Sequence, residues 1–271
     1  MVRNVVASMR ERLYRREPVF SFEFFPPKDK AGETTLKQSL ERLAPLDPAF
    51  VSVTCGAAGS TRDRTRDLVL SMQDRYDFGV MAHITATGYS RDDLAELVID
   101  YRRQGVMNFL ALRGDPPRDQ PDWRPPENQP AHAIDVVRII RVAAPDASIG
   151  VAGYPDTHPE AENQEGDLRR LVEKVEAGAD FVITQLFFDN ERYFDFLARA
   201  RKKGVRVPIL PGLMPVTRHG QIDRFRELCR VEVPSALAQL LADADDVNAR
   251  GMGISYAAAQ MADLLRRGAC G

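Results

Sequence analysis

The sequence predicts a (β/α)8 TIM barrel, an α/β fold, with its eighth strand expected beyond the last of the 271 residues. Short apolar, β-branched segments alternate with helix-length amphipathic segments, which indicates a parallel sheet covered by helices. The length suits one closed barrel of roughly 250 residues. No G-x-G-x-x-G motif follows the first apolar segment, which argues against an open dinucleotide-binding sheet.

Seven apolar segments are predicted to be strands. They lie at residues 19–25, 50–54, 79–85, 108–114, 148–153, 180–185 and 207–211. The amphipathic segments between and after them are predicted to be helices. These lie near residues 33–46, 61–76, 90–104, 132–144, 165–177, 190–203 and 217–229. A longer helix is expected at residues 245–267, so an eighth strand would have to follow it.

The chain is expected to form one catalytic domain over residues 1–271, because no linker or shift in composition divides it. Residues 1–17 are predicted to form an N-terminal helix. The proline-rich segment at residues 115–131 is the longest irregular stretch. Long irregular loops in compact domains are often functional, so this one is predicted to form the rim of the active site.

Composition excludes several classes of protein. The 37 basic and 39 acidic side chains nearly cancel, and no basic run suited to nucleic acid or an anionic membrane is present. No segment approaches the roughly 20 apolar residues of a membrane span. The N-terminal segment lacks an apolar signal core, which predicts a cytoplasmic protein. Cys55, Cys229 and Cys270 have no metal-binding spacing, so no metal site is expected.

Polar residues at strand ends are the candidates for chemistry, because barrel enzymes place catalytic groups there. In the first strand, alternation puts Ser21 and Glu23 on one face and Phe22 and Phe24 on the other. Glu23 is therefore expected to point into the barrel. A carboxyl buried among aromatic side chains has a raised pKa and can act as a general acid. The alternative is a structural pair with a neighbouring arginine.

Other strand ends carry polar residues of the same kind. Ser52 and Thr54 are predicted to face inward. His83 ends the third strand, where a structural and a functional role are equally plausible from sequence. Further candidates at the following strand ends are Arg113, Gly114, Asp115, Tyr154, His158 and Gln185.

Six motifs occur in order along the chain. They are SFEFFPPK at residues 21–28, VSVT at 51–54 with GSTRDRT at 59–65, ALRGD at 111–115, GYPDTHPE at 153–160, ITQLFFD at 183–189 and ILPGLMPV at 209–216. In order and spacing they resemble the methylenetetrahydrofolate reductase family from about residue 18 to residue 267. The resemblance implies reduction of 5,10-methylenetetrahydrofolate to 5-methyltetrahydrofolate with a hydride from NAD(P)H.

The resemblance also implies roles for individual residues. Glu23 corresponds to the acid that protonates the bridging nitrogen of the folate. Asp115 corresponds to the residue that binds the pterin edge and stabilises the cation formed on ring opening. Gln185 corresponds to a pterin contact. Phe225 corresponds to the aromatic residue stacked on the aminobenzoate ring, although its helical spacing also suits a core phenylalanine.

Most members of the family bind FAD. The resemblance places that cofactor at Thr54, His83, Arg113, Gly114, Asp115, Tyr154, His158, Asp167 and Lys174. Val172 and Glu173 depart from the family pattern, since basic residues are usual or frequent at these two positions. A carboxylate beside a diphosphate is unfavourable. The departures favour the flavin-independent branch, in which the nicotinamide passes its hydride directly, over neutral drift on an exposed helix face.

Two other functions remain open from the sequence. One is a barrel flavoprotein acting on a different substrate, against which the combination of Glu23, Asp115 and Gln185 argues. The other is a folate-binding or partner subunit of a reductase complex. Retention of Glu23 argues against that alternative, because binding alone does not require a proton donor at this position.

Overall fold

The computed structural model describes residues 4–56, 61–117, 120, 122–218 and 220–271. Within these residues, seven parallel strands alternate with helices and follow one another in chain order. This arrangement confirms the predicted α/β fold of the TIM-barrel type.

All seven strands lie where the apolar segments predict them. Their bounds are Ser21–Phe24 (β1), Phe50–Val53 (β2), Gly79–Thr85 (β3), Asn108–Leu112 (β4), Ser148–Gly153 (β5), Phe181–Leu186 (β6) and Ile209–Gly212 (β7). Several strands end earlier than predicted, so the polar residues that follow them belong to loops. Parallel strands present their carboxyl ends on the same side of a sheet, which is where these loops begin.

The helices also follow the predicted alternation. Their bounds are Val5–Tyr14 (α1), Lys30–Leu43 (α2), Arg62–Arg75 (α3), Arg91–Arg103 (α4), Ala133–Ala143 (α5), Gln164–Glu176 (α6), Asn190–Lys202 (α7), Gln221–Cys229 (α8), Ser235–Ala242 (α9) and Asp246–Arg266 (α10). Helix α9 was not predicted. It is short, begins after Pro234 and buries Leu237 and Leu241.

Local hydrogen bonds fix the starts of the helices that follow β1 and β3. Asp29 accepts a hydrogen bond from Gly32 N (2.8 Å) at the start of α2. At the start of α4, Ser90 Oγ accepts from Asp93 N (3.1 Å), and Asp93 Oδ2 accepts from Ser90 N (3.4 Å). Each contact satisfies a backbone N–H group that the first turn of a helix leaves free.

The chain divides into two compact units, described separately below. Unit 1 comprises Met1–Val151 and Glu176–Phe181, and unit 2 comprises Ala152–Val175 and Val182–Gly271.

The core of unit 1 lies on its strands. β1 pairs with β2 in a register that sets Glu23 opposite Ser52, and β2, β3, β4 and β5 continue the parallel pairing. Phe50 and Phe109 are fully buried, and the ring of Phe50 lies 6.0 Å from that of Phe181. The apolar core therefore holds the strand ends that carry Glu23 and Ser52.

Much of the core of unit 2 lies among its last three helices, α8, α9 and α10. A hydrophobic cluster joins Phe188, Phe225 and Leu237, with further buried residues from α8 to α10. Helix α10 packs directly on the backbone that precedes α8, because a Cβ atom on Gly253 would lie 1.7 Å from Val216 O. Only glycine permits this close approach of two backbones.

Candidate active site

Glu23 lies at the carboxyl end of β1, opposite Ser52 of β2. The buried Ser52 hydroxyl is hydrogen-bonded to the Glu23 carboxyl. Glu23 Oε2 also lies 3.5 Å from His83 Nε2 of β3. Loss of solvation raises the pKa of Glu23, and the Ser52 hydrogen bond opposes this shift in part. A carboxyl with a raised pKa can carry a proton closer to neutral pH.

The surroundings of Glu23 differ from those predicted. Its side chain is 47% exposed, and its polar neighbours are Ser52 and His83 rather than aromatic rings. The basic group beside it is a histidine, not an arginine. Because β1 ends at Phe24 and Phe25 is itself exposed, the carboxyl lies at an open strand end. The prediction of a carboxyl buried among phenylalanines is therefore wrong, although the raised pKa is observed.

His83 is a buried, uncharged group. Burial lowers its pKa to about 3, so the imidazole is neutral near pH 7 and its contact with Glu23 is not an ion pair. Within the described ranges, His83 Nε2 has no hydrogen-bond partner. Buried polar atoms normally have a partner, so this one is suited to a polar group of a bound molecule.

Gly114 and its neighbours form the turn just after β4. Thr87 N and Thr87 Oγ1 both donate to Arg113 O at 2.9 Å. Gly114 has φ +79°, and a Cβ atom there would lie 2.9 Å from Thr85 Cβ. The turn therefore requires glycine. It leads to Asp115, whose side chain is 75% exposed and lies 3.7 Å from the Arg113 guanidinium.

Backbone contacts fix the end of β2. Thr54 N donates to Phe24 O at 2.9 Å, and the Thr65 hydroxyl donates to Thr54 O at 2.9 Å. Burial raises the pKa of the adjacent Cys55 thiol, which its hydrogen bonds to neighbouring threonine hydroxyls oppose. The thiol is therefore protonated at neutral pH.

Parts of two predicted features lie outside the described residues. These are residues 59 and 60 of the second motif and residues 118, 119 and 121 of the rim loop. At the other end of that loop, Gln129 Oε1 accepts a hydrogen bond from Gly88 N at 2.9 Å. The last turn of the loop is thus tied to the segment after β3.

In unit 2, Tyr154 and His158 lie together on the loop after β5. Their rings meet edge to face, with centroids 4.6 Å apart. His158 N donates to Asp167 Oδ2 at 3.0 Å, and His158 Nδ1 accepts from Glu160 N at 3.0 Å. Because Nδ1 is an acceptor, the neutral ring carries its proton on Nε2.

Lys174 and Asp167 lie on α6 with opposite charges, and both are partly buried. Lys174 Nζ donates to Ala152 O at 2.6 Å. Burial lowers the Lys174 pKa to about 8, against the opposing charge of Asp167. Burial also raises the pKa of Asp167, which the His158 N–H group and Lys174 oppose. Val172 and Glu173 beside Lys174 are only partly exposed, so they do not lie on a fully solvated face.

The two predicted folate contacts of unit 2, Gln185 and Phe225, both have contacts within the protein. The half-buried Gln185 accepts a hydrogen bond from its own neighbour, Leu186 N, at 2.8 Å. Phe225 is 8% exposed and packs against Phe188, with ring centroids 6.0 Å apart, inside the hydrophobic cluster. This position favours the alternative reading of Phe225 as a core residue over a substrate contact.

An ion-pair cluster in unit 2 was not predicted. Arg192 of α7 contacts Asp156 Oδ1 at 3.1 Å and also forms an ion pair with Glu232. Asp156 follows Tyr154 in the loop after β5, and its side chain is 8% exposed. The three residues are far apart in sequence and share no local pattern, so sequence alone gave no signal of this cluster.

The described ranges show neither a candidate metal site nor a candidate membrane span. No group of three or more His, Cys, Asp or Glu side chains there could hold a metal ion. No helix in these ranges is both long and apolar enough to cross a membrane.

Comparison with known proteins adds relatives over nearly the whole chain. The sequence model of the methylenetetrahydrofolate reductase family matches residues 8–271. The 5,10-methylenetetrahydrofolate reductase of Escherichia coli K12 is 40% identical over 226 residues, which are 83% of this chain and 74% of that protein. The enzyme of the same name from Salmonella typhimurium is 38% identical over 248 residues, covering 91% and 81%.

A plant relative and a solved structure extend the comparison. Methylenetetrahydrofolate reductase (NADH) 1 of Arabidopsis thaliana is 34% identical over 97% of this chain and 47% of that protein. An uncharacterized protein from Clostridium thermocellum that binds two copies of 5-methyl-5,6,7,8-tetrahydrofolic acid has a TM-score of 0.66 at 17% identity. The superposition covers 97% of this chain and 90% of that protein's chain. At this identity the likeness concerns the fold alone.

Proposed function

The chain belongs to the methylenetetrahydrofolate reductase family, and we propose on that premise that it reduces 5,10-methylenetetrahydrofolate to 5-methyltetrahydrofolate. The reaction is an oxidoreduction that takes a hydride from a nicotinamide. We propose NADH or NADPH as the donor, and relatives named for NADH support the first of these.

The observation that carries this proposal is the environment of Glu23. Its carboxyl lies at a strand end, bonded to Ser52 and beside the neutral His83. Its pKa is raised, so a larger fraction holds a proton near neutrality than an ordinary glutamate would. A general acid works best when its pKa approaches the working pH. A proton donor is what opening the five-membered ring of the substrate requires.

The proposed reaction has two steps. Glu23 gives its proton to the bridging nitrogen, and the bond from that nitrogen to the methylene carbon breaks. The methylene then remains on the other nitrogen as an iminium cation, which accepts the hydride and becomes a methyl group. Asp115 supplies a carboxylate for that cation. The nicotinamide leaves oxidised, and Glu23 regains its proton from water.

The residues that would hold a flavin diphosphate fit that group poorly. Lys174 already donates to Ala152 O, and Asp167 balances its charge. The charges of Lys174 and Asp167 cancel, so this pair offers no net positive charge to a diphosphate. We therefore propose that the hydride passes directly from the nicotinamide to the folate.

His83 supports a binding role that does not require a flavin. Its Nε2 atom is buried and has no hydrogen-bond partner among the described residues. A polar edge of the bound nicotinamide or pterin would satisfy it. For unit 2, we propose that Tyr154 and His158 on the loop after β5 contact a nicotinamide cofactor.

The experiment is anaerobic oxidation of NADH or NADPH with methylenetetrahydrofolate, using protein stripped of flavin, with and without added FAD. We expect full activity without FAD. A requirement for FAD would contradict direct transfer but leave the reductase activity in place. Lack of activity under both conditions, with folded protein verified by circular dichroism, would contradict the reductase proposal itself.

A further inference from the structure

The loop after β5 is strained where it presents His158. Thr157 has φ +72°, a left-handed conformation that a β-branched residue rarely adopts. Thr157 N donates to Tyr154 O at 3.1 Å, which closes a tight turn between the two aromatic residues. Strained backbone of this kind persists only when surrounding contacts hold it.

Two arginines from other elements hold this loop. Arg192 of α7 contacts the loop at Asp156 and contacts Glu232, between α8 and α9, with the same guanidinium. Arg230, at the end of α8, donates from Nη1 to Pro159 O at 3.0 Å. The loop is thus fixed on both sides of His158.

The charges make Arg192 the central member of this group. Asp156 is nearly buried, and burial raises its pKa, an effect that the Arg192 charge opposes. Glu232 adds to the rise in the Asp156 pKa through its own negative charge. Without Arg192, two carboxylates would face each other with one of them out of water. A buried charge that has lost its partner is strongly unfavourable.

We propose that Arg192 is a positioning residue that holds the loop of residues 154–160 in the conformation presenting Tyr154 and His158 to the cofactor. The guanidinium reaches both carboxylates at once because it is planar and forked, which a lysine ammonium cannot reproduce. The link to the cofactor rests on the function proposed above, whereas the effect on the loop does not.

The His158 ring reports the loop conformation without any activity. Its Nδ1 atom accepts from Glu160 N only while the turn is intact, so the proton stays on Nε2. The chain has four histidines, so long-range nitrogen–proton NMR spectra of the imidazoles are simple. The His158 signals are identified by their loss in His158→Gln.

The test compares Arg192→Met and Arg192→Lys with Lys202→Gln, which removes a positive charge from an exposed position of the same helix. In both Arg192 variants we expect the His158 signals to show a mixture of the two neutral tautomers. In Lys202→Gln they should show only the tautomer with the proton on Nε2. The KM for NADH should rise about tenfold in Arg192→Met, the worth of one charge-assisted hydrogen bond. The kcat should change far less, since the reacting atoms are not touched.

The outcomes separate this inference from the proposed function. Unchanged His158 signals in a folded Arg192→Met variant would overturn the positioning role. Changed signals with an unchanged KM would support positioning but contradict cofactor binding by this loop. If Arg192→Met does not fold, Arg192→Met/Asp156→Asn removes both members of the buried pair, and the same His158 change is expected there.

Discussion

At the scale of single residues, Glu23 is the group on which the proposed chemistry depends. Glu23→Gln keeps the size of the side chain and removes the transferable proton. We expect turnover to fall roughly 10²–10⁴-fold, the usual contribution of a positioned general acid, with little change in folding because the side chain is half exposed. Glu96→Gln, on the exposed face of α4, is the control. Turnover of Glu23→Gln within threefold of wild type would exclude Glu23 as the acid.

His83 gives a residue-scale prediction for stability against pH. Its pKa is about 3 in the folded chain and 6.5 as the ordinary value. Between these pH values the unfolded chain binds a proton that the folded chain does not, so the free energy of unfolding falls as pH decreases. The slope approaches 1.4 kcal/mol per pH unit, or about one proton. Urea unfolding at pH 7.5, 6 and 5 should therefore show that the free energy of unfolding falls less steeply with decreasing pH in His83→Asn than in the wild type.

If the free energy of unfolding fell equally steeply with decreasing pH in His83→Asn and in the wild type, this account would be contradicted. His132→Asn, exposed at the start of α5, is the control at a solvent-exposed position. Both variants replace a histidine with an asparagine. The difference between them therefore isolates the burial of His83.

At the scale of elements, hydrophobic periodicity predicted all seven strands and most of the helices. Helix α9 was missed because eight residues give barely two turns, too few to establish a period. Periodicity also identified the inward face of β1 but not the exposure of Glu23, which depends on where β1 ends. The position of Gln185 follows from the irregular register of β6 against β7, which no local pattern encodes.

Two glycines of α10 should respond oppositely to the same substitution. A Cβ atom on Gly253 would lie 1.7 Å from Val216 O, whereas nothing lies within 4 Å of one on Gly251. Gly253→Ala must displace backbone and should lower the free energy of unfolding by about 3 kcal/mol. Gly251→Ala should raise it by up to about 1 kcal/mol, since alanine is the better helix former. Urea unfolding measures both, and an equal loss in the two variants would contradict the packing of α10.

At the scale of the whole molecule, the sequence identified candidate site residues, whereas only the structure identified the contacts that hold them in place. The motifs contain Glu23, Tyr154 and His158, and the strand pattern adds His83, because these residues lie at strand ends or just after them. The contacts that hold some of them were not accessible from sequence. Arg192 contacts Asp156 and Glu232, which are far from it in the sequence. Such long-range pairs produce no periodic pattern in the sequence. The surroundings of Lys174 also could not be predicted from sequence, because only the structure shows that its ammonium donates to Ala152 O and is near the charge of Asp167.

Direct hydride transfer also predicts how ligands change the stability of the entire chain. A ligand that binds only the folded state at 100 times its Kd raises the free energy of unfolding by about 2.7 kcal/mol. For a domain of this size that corresponds to about 5 °C in Tm. We expect NADH or NADPH to produce such a shift and FAD to produce none, because direct transfer needs no flavin and Asp167 already balances the charge of Lys174, one of the residues matched to the flavin site. Differential scanning calorimetry with each ligand over a range of concentrations tests this. A larger shift with FAD than with either nicotinamide would show that the paired Lys174 still accommodates a diphosphate, and direct transfer would then be the wrong reaction.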